Sequence, residues 1–152
     1  MIEVKVNSEQ VQAALQEALN KTSNLEPVLK EIGDYLIKSH RERFETKEAP
    51  DGTAWERNSA LTQLLKGRDD PLVGESGGRG GLLGSFHYNA RSNALEFGNS
   101  KEYAAMQHYG GKTSPRSKYP NTTIPARPFL GLSKDDNAVI LEKISDYLLS
   151  EN

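Results

Sequence analysis

Residues 124–133 read IPARPFLGLS, and this stretch decides how the C-terminal half of the chain folds. Proline biases the residue before it toward extended backbone, so Pro125 and Pro128 predict a strand or an extended loop here. The Arg127 guanidinium can donate as a planar fork to a carboxylate or to backbone carbonyls. Phe129 adds a large apolar anchor. The stretch, called the anchor segment below, is predicted either to lock a following helix to a sheet or to lie against a neighbouring subunit.

A helix is predicted directly after the anchor segment. Ser133 and Asp136 have the spacing of a capping box, in which the first side chain bonds the helix N-terminus and the fourth residue reaches back. The residues that follow are apolar at the intervals expected on the buried side of an amphipathic helix: Val139, Ile140, Ile144, Tyr147 and Leu148.

Two segments without apolar periodicity precede this helix. Residues 111–128 hold four of the seven prolines and are predicted to form a long extended arm. Residues 67–84 contain seven glycines and are predicted to be a mobile loop. A self-contained enzyme domain would have little use for two such segments.

Four further helices are predicted from apolar residues at helical spacing and from terminating signals. Two are amphipathic helices over residues 8–20 and 26–45, and two are short helices over residues 58–66 and 101–109. Pro27 falls in the first turn of the second helix, where the missing N–H of proline is tolerated.

Two regions alternate between apolar and polar residues, which is the period of a half-buried strand. Residues 2–6 predict an N-terminal strand, and residues 85–98 predict a hairpin with a three-residue connection at 91–93. The predicted fold class is therefore α+β: a small antiparallel sheet of the N-terminal strand and the hairpin, packed by three to four helices, with a long extended arm. The length of 152 residues fits a single domain over residues 1–152.

The composition argues against several kinds of chemistry. The chain has no cysteine, so disulfides, thiolate zinc sites and iron–sulfur clusters are excluded. Its three histidines lack the spacing of a helical metal site, and the glycines at 77–84 lack the spacing of a dinucleotide-binding loop. No catalytic residue, cofactor or metal is expected. The N-terminus lacks a signal-peptide pattern and no stretch reaches the ~18 apolar residues of a membrane span, so no membrane partner is expected.

Charge is distributed unevenly along the chain, although the net charge is only −2. Residues 103–134 contain five basic residues and no acidic one, whereas residues 135–152 contain five acidic residues and one lysine. A basic arm and an acidic helix can pair head-to-tail between subunits. The basic residues at 112–127 can instead contact nucleic acid.

Four motifs, taken in order, resemble the phage virion morphogenesis, or tail completion, family of Mu-like and related tailed phages. The first is APDGTAW at 49–55, and the second is LLGSF at 82–86, followed by a strand pair that ends in FGNS at 97–100. The third is YAAMQHYGG at 103–111, and the fourth is the anchor segment. The resemblance covers about residues 2–149.

The resemblance implies a non-enzymatic structural protein at the head–tail junction or the tail end, made in the host cytoplasm and retained in the virion. Its expected partners are other head and tail junction proteins and further copies of itself in a ring, whereas DNA contact would be incidental. A nucleic-acid-binding module that uses residues 112–127 is the alternative. The residues expected at the contact surface are Tyr109, Arg116, Lys118, Arg127 and Phe129, while Trp55, Tyr103 and His108 are expected to support the fold.

Overall fold

The computed structural model describes residues 9–57, 81–116 and 120–150. Within them the chain forms the expected α+β fold, with four α-helices and two antiparallel sheets of two strands each. The predicted N-terminal strand, the predicted helix after residue 57, most of the glycine-rich loop and Lys118 lie outside the described residues. In chain order the elements are α1 (Glu9–Lys21), α2 (Glu26–Thr46), a 3₁₀ turn (Leu82–Gly84), β1 (Phe86–Ala90), β2 (Leu95–Asn99), α3 (Ala104–Tyr109), β3 (Gly111–Lys112), β4 (Thr123–Ile124) and α4 (Lys134–Ser150).

The long helix α2 is the central element. Pro27 lies in its first turn, as expected, and Lys47 ends it in the left-handed conformation with φ 58°. α4 packs on both α1 and α2, and the β1–β2 hairpin packs on α2. The buried apolar residues that the three helices and the turn before α2 share form one cluster: Val11, Ala18, Leu25, Val28, Leu29, Ile32, Leu36, Ile140 and Ile144.

A second cluster is aromatic and joins the C-terminal end of α2 to the hairpin and the anchor segment. Phe44 lies edge-on to Trp55 with ring centroids 5.5 Å apart, and Phe86 contacts Phe129 edge-on at 5.9 Å. Edge-to-face pairs at this spacing are favourable because the positive ring edge meets the negative ring face. Phe97 packs against both clusters and so connects them.

The β1–β2 hairpin meets α2 at a glycine. Tyr88 lies opposite Phe97 in the antiparallel register, and its ring rests on Gly33, where an added β-carbon would be only 2.5 Å from Tyr88 Cγ. The connection between the strands has four residues rather than the three predicted, and within it the Arg91 N–H donates to the Ala94 carbonyl at 2.8 Å. The sheet therefore approaches the helix where α2 carries no side chain.

The last residues of the predicted mobile loop, 81–84, are held in a defined turn, while residues 67–80 lie outside the described residues. Leu82 begins a 3₁₀ turn and is only 1% exposed within the aromatic cluster. The buried Asn99 side chain donates its amide to the Leu82 carbonyl at 2.8 Å. Glycine content alone missed this, because it does not show that Leu82 is buried, and burial of a leucine side chain favours one fixed position.

Replacement of Gly33 by alanine tests the contact between helix and sheet. An alanine in the middle of a helix normally stabilises it by about 0.5–1 kcal/mol relative to glycine. At Gly33 we expect the opposite, a loss of about 1–3 kcal/mol, because the new methyl overlaps the root of the Tyr88 ring. The measurement is the midpoint of urea unfolding. In a Tyr88→Ala background the same substitution should no longer destabilise, and a stabilising Gly33→Ala in the parent chain would contradict the packing described.

Candidate interaction surface

The anchor segment is irregular in its centre and yet buried, so its backbone polar groups need partners within the protein. Groups from three other parts of the chain supply them. The Trp55 indole donates to the Pro128 carbonyl at 2.7 Å, and the Arg43 guanidinium donates to the Phe129 carbonyl at 2.9 Å. On the opposite side, the Arg127 N–H donates to the Gln107 carbonyl at 2.9 Å. The segment is thereby fixed to α2 and α3 and to the chain before residue 57.

Two buried histidines accept the remaining N–H groups at the end of the segment. His108 Nδ1 accepts from the N–H groups of Phe129 and Leu130, both at 3.3 Å, and His40 Nε2 accepts from the Gly131 N–H at 3.2 Å. A ring nitrogen that accepts carries no proton, so both imidazoles are neutral in this arrangement. Burial lowers the pKa of His40 to about 3 and lowers that of His108 below its ordinary value.

Arg127 uses its guanidinium inside the molecule. The fork donates to the backbone carbonyls of Glu56 at 2.7 Å and Arg57 at 3.0 Å, which is one of the two arrangements that the sequence left open. The side chain is buried. Arg127 therefore belongs to the attachment of the anchor segment, and its charge is not presented on an exposed arm.

The helix after the anchor segment begins with the predicted capping box. The Asp136 N–H donates to Ser133 Oγ, and the Ser133 N–H donates to Asp136 Oδ2, both at 3.0 Å. Asp136 also forms a buried ion pair with Arg43 at 2.6 Å and accepts the hydroxyls of Tyr35 and Ser39. Sequence reasoning missed this pair, because the residues are 93 positions apart and Asp136 already had a local explanation as part of the cap.

The electrostatics of this network keep Asp136 ionised. Burial alone would raise the pKa of Asp136, but the hydrogen bonds from Ser133 and Ser39 and the charge on Arg43 hold it below its ordinary value. Burial and the neighbouring carboxylate raise the pKa of Tyr35 to about 12. A charged carboxylate and guanidinium therefore face each other between α2 and α4.

The residues expected at the contact surface fall into two groups. Phe129 is 0% exposed and lies in the aromatic cluster, which leaves it no surface for a partner, and Arg127 is turned inward as described. Both residues fit the prediction that the anchor segment locks the last helix to the rest of the fold. The irregular backbone there needs buried groups to hold it, and Arg127 and Phe129 are such groups. Tyr109 is 61% exposed and Arg116 is exposed, whereas Lys118 is outside the described residues.

The three residues expected to support the fold also differ from one another. Trp55 and His108 are buried and hold the anchor segment through the hydrogen bonds given above. Tyr103 is 47% exposed and precedes α3, where its carbonyl accepts from the Gln107 N–H at 3.2 Å. Its ring contributes less to the interior than the sequence suggested.

The exposed part of the predicted arm forms the stem of a hairpin, described over residues 111–116 and 120–124 and called the arm hairpin below. β3 pairs with β4, and beyond them the Thr113 N–H donates to the Thr122 carbonyl at 2.9 Å. Residues 125–128, which were predicted to belong to the arm, are instead held against the interior. Gly110 makes the sharp entry possible, with φ 74° and no space for a β-carbon, which would lie 2.7 Å from the Ile124 carbonyl oxygen.

The arm hairpin is basic. Lys112 and Arg116 are exposed, and no ion pair engages either of them within residues 9–57, 81–116 and 120–150. No acidic residue occurs between residues 103 and 134 to neutralise them. The result is an exposed, positively charged hairpin stem on a firmly held base.

The residues that form the anchor segment and the arm hairpin lie within the match to a known protein family. The model of the phage virion morphogenesis family matches residues 6–149. The chain belongs to this family. It is 32% identical to the Mu-like prophage FluMu G protein 2 of Haemophilus influenzae over 148 residues, which is 97% of this chain and 96% of that protein.

A second Haemophilus influenzae relative is also similar. The chain is 26% identical to the Mu-like prophage FluMu G protein 1 over 137 residues, which is 88% of this chain and 86% of that protein. No solved structure matches. Membership of the phage virion morphogenesis family gives this chain a role in phage morphogenesis. In the part of the chain that the structure describes, no helix is long and apolar enough to cross a membrane.

The Arg43–Asp136 pair gives a direct prediction for stability. Asp136→Asn keeps the shape of the side chain but leaves the Arg43 charge buried without a counter-ion, so we expect a loss of about 3–5 kcal/mol. The measurement is urea unfolding at neutral pH. Asp135→Asn is the matched control, because Asp135 is exposed, and it should change stability by no more than about 0.5 kcal/mol. Equal effects of the two substitutions would contradict the role of the pair.

The two neutral histidines predict a loss of stability in acid. Because His40 and His108 stay unprotonated in the folded chain while the unfolded chain takes up protons below about pH 6.5, stability should fall as the pH is lowered. Each histidine contributes about 1.4 kcal/mol per pH unit between its unfolded and folded pKa values. Urea unfolding at several pH values measures this slope. His40→Gln should lower the slope by about 1.4 kcal/mol per pH unit, which is the contribution of one bound proton. An NMR titration in which the His40 imidazole of the folded chain protonates above about pH 5 would contradict it.

Proposed function

We propose that the chain is a structural component that completes phage tails and joins them to heads through protein–protein contacts, without catalysing a reaction. It would be made in the host cytoplasm and retained in the virion. Membership of the virion morphogenesis family and similarity to the two Mu-like prophage G proteins support this role. The structural observation that carries the proposal is the arm hairpin, whose exposed stem is fixed by hydrogen bonds and whose base is held by the buried anchor segment.

A projection of this kind suits assembly because it is ordered before it binds. The β3–β4 pairing and the Thr113–Thr122 hydrogen bonds fix the described stem of the arm hairpin, so binding would cost less conformational entropy than ordering a free loop. Tyr109 stands exposed at the base and offers an aromatic side chain of the type that carries binding energy at protein interfaces. The contact surface would therefore consist of Tyr109 and the arm hairpin.

The position of Arg127 argues against the alternative function, a nucleic-acid-binding module. That guanidinium donates to two backbone carbonyls, so Lys112 and Arg116 remain as the exposed cations in the described part of the arm hairpin. Binding to duplex DNA weakens with salt with a slope of about −0.9 per phosphate contact, and two or three cations predict a shallow slope and weak binding. A titration of the chain with duplex DNA at several salt concentrations distinguishes the two functions, because tight and steeply salt-dependent binding would favour the nucleic-acid module.

The test of the proposed function is removal of the gene from the phage or prophage that carries it, followed by electron microscopy of the particles. We expect filled heads separate from tails, or tails of uncontrolled length, and restoration of joined particles when the parent chain is supplied from a plasmid. The matched control is the same deletion complemented by an empty plasmid. Normal, infectious particles without the chain would overturn the proposal.

A further inference from the structure

A polar groove of about 720 Å³ lies between the C-terminal half of α2, the turn at 48–52 and the first turn of α4. Its described lining carries five carboxylates and two cations. One carboxylate and one cation belong to the buried Asp136–Arg43 pair and neutralise each other. The groove is therefore acidic, and the charged residues left to face a partner are Glu42, Glu48, Asp51, Asp135 and Lys134.

The carboxylates of the groove are available to an external cation. Within the described residues no ion pair engages Glu42, Glu48 or Asp135, and all three are exposed. Asp51 accepts the Thr53 N–H at 2.9 Å, and this hydrogen bond lowers the pKa of its carboxyl and keeps it ionised. Like charges gathered on one surface repel each other, and a partner of opposite charge relieves that repulsion.

Asn137 adds a second, independent feature to the groove wall. Its side-chain Oδ1 is buried, and among the described residues it accepts no hydrogen bond. Buried polar atoms without a partner are rare in folded proteins, because the lost hydrogen bond to water is not replaced. This oxygen is closed off from solvent in the free chain, so an ammonium, guanidinium or backbone N–H in the groove would reach it only after the Asn137 side chain turns toward the groove.

The arm hairpin has the complementary chemistry. It presents Lys112 and Arg116, it has no acidic residue of its own, and no ion pair joins these two cations to the groove of the same chain in the ranges that the structure describes. The arm hairpin and the groove also lie at the two ends of the anchor segment, since the hairpin ends at Ile124 and the groove includes Leu132. One rigid piece of chain thus carries both surfaces.

We propose that the acidic groove receives the arm hairpin of a second copy of this chain. The inference rests on the proposed function, in which the arm hairpin is a contact surface, and it names the partner of that surface. Because arm and groove are different patches, the contact is heterologous, and repetition of it generates a closed ring or a head-to-tail row. The charges would set the register, and Pro50, which lies over Gly131 at the groove edge, would give an apolar contact.

The experiment uses two charge-reversed variants of the full chain. The arm variant is Lys112→Glu/Arg116→Glu, and the groove variant is Glu48→Lys/Asp135→Lys. All four positions are exposed, so folding should be unaffected, and urea unfolding checks this. Self-association is followed from the concentration dependence of amide NMR shifts, from micromolar to millimolar chain at low salt.

We expect the parent chain to show concentration-dependent shifts in both the arm hairpin and the groove. Each variant alone should associate at least about tenfold more weakly than the parent. An equimolar mixture of the two variants should associate again, because the reversed arm fits the reversed groove and the native arm fits the native groove. Lys21→Glu/Lys30→Glu, with the same change in charge at two exposed helix positions, is the matched control and should behave as the parent. Absence of association at millimolar concentration, shifts confined to one surface, or no recovery in the mixture would each overturn the inference.

The particles formed after gene deletion and complementation distinguish this inference from the proposed function. If the arm variant restores joined particles to the gene deletion as well as the parent does, the arm–groove contact is wrong while the structural role stands. If the deletion itself yields normal particles, the structural role is wrong, whatever the NMR experiment shows. The third outcome supports both the structural role and the arm–groove contact. In it, the deletion gives no joined particles, neither variant alone restores them, and co-expression of the two variants does.

Discussion

The structure depends on one constraint: an irregular stretch of backbone is largely buried, and its buried polar groups must be paired within the protein. Residues 125–131 have no helix or strand to pair them, so side chains of Trp55, Arg43, His40 and His108 take that task. Unpaired groups at this depth would each cost about 1–3 kcal/mol. The positions of α2 and α3 and of the chain before residue 57 follow from the need to deliver these side chains to one place.

The Arg43 side chain makes this constraint extend to the last helix. Its guanidinium donates to the Phe129 carbonyl and also pairs with Asp136, which at the same time caps α4. The helix α2 and the contiguous pair formed by the anchor segment and α4, which are distant from α2 in sequence, therefore share one charged group. A single buried ion pair contributes little net stability by itself, but breaking it leaves a charge without a partner. The network thus defines a unique arrangement of α2, the anchor segment and α4.

Much of this architecture could be predicted from the sequence, because the relevant signals are local. The Ser133–Asp136 box, Pro27 in the first turn of α2 and the strand pair each depend on residues within a few positions of one another. The contribution of His40 could not be predicted, since a histidine on an amphipathic helix looks the same whether it accepts a hydrogen bond or faces solvent. The limit of the exposed arm was missed for a related reason: proline predicts extended backbone and does not tell whether that backbone is buried.

The glycine under Tyr88 has a consequence for the tolerance of α2 to insertions and deletions. Along this helix, Gly33 contacts the sheet, and Phe44 packs in the aromatic cluster. His40 and Arg43 form hydrogen bonds with the anchor segment. One added or removed residue between Gly33 and His40 would rotate the two ends of the helix by about 100° relative to each other. The sheet and the anchor segment would then face different directions. α2 therefore fixes the angle between the sheet and the anchor segment, and a change of chain length between Gly33 and His40 is incompatible with this fold.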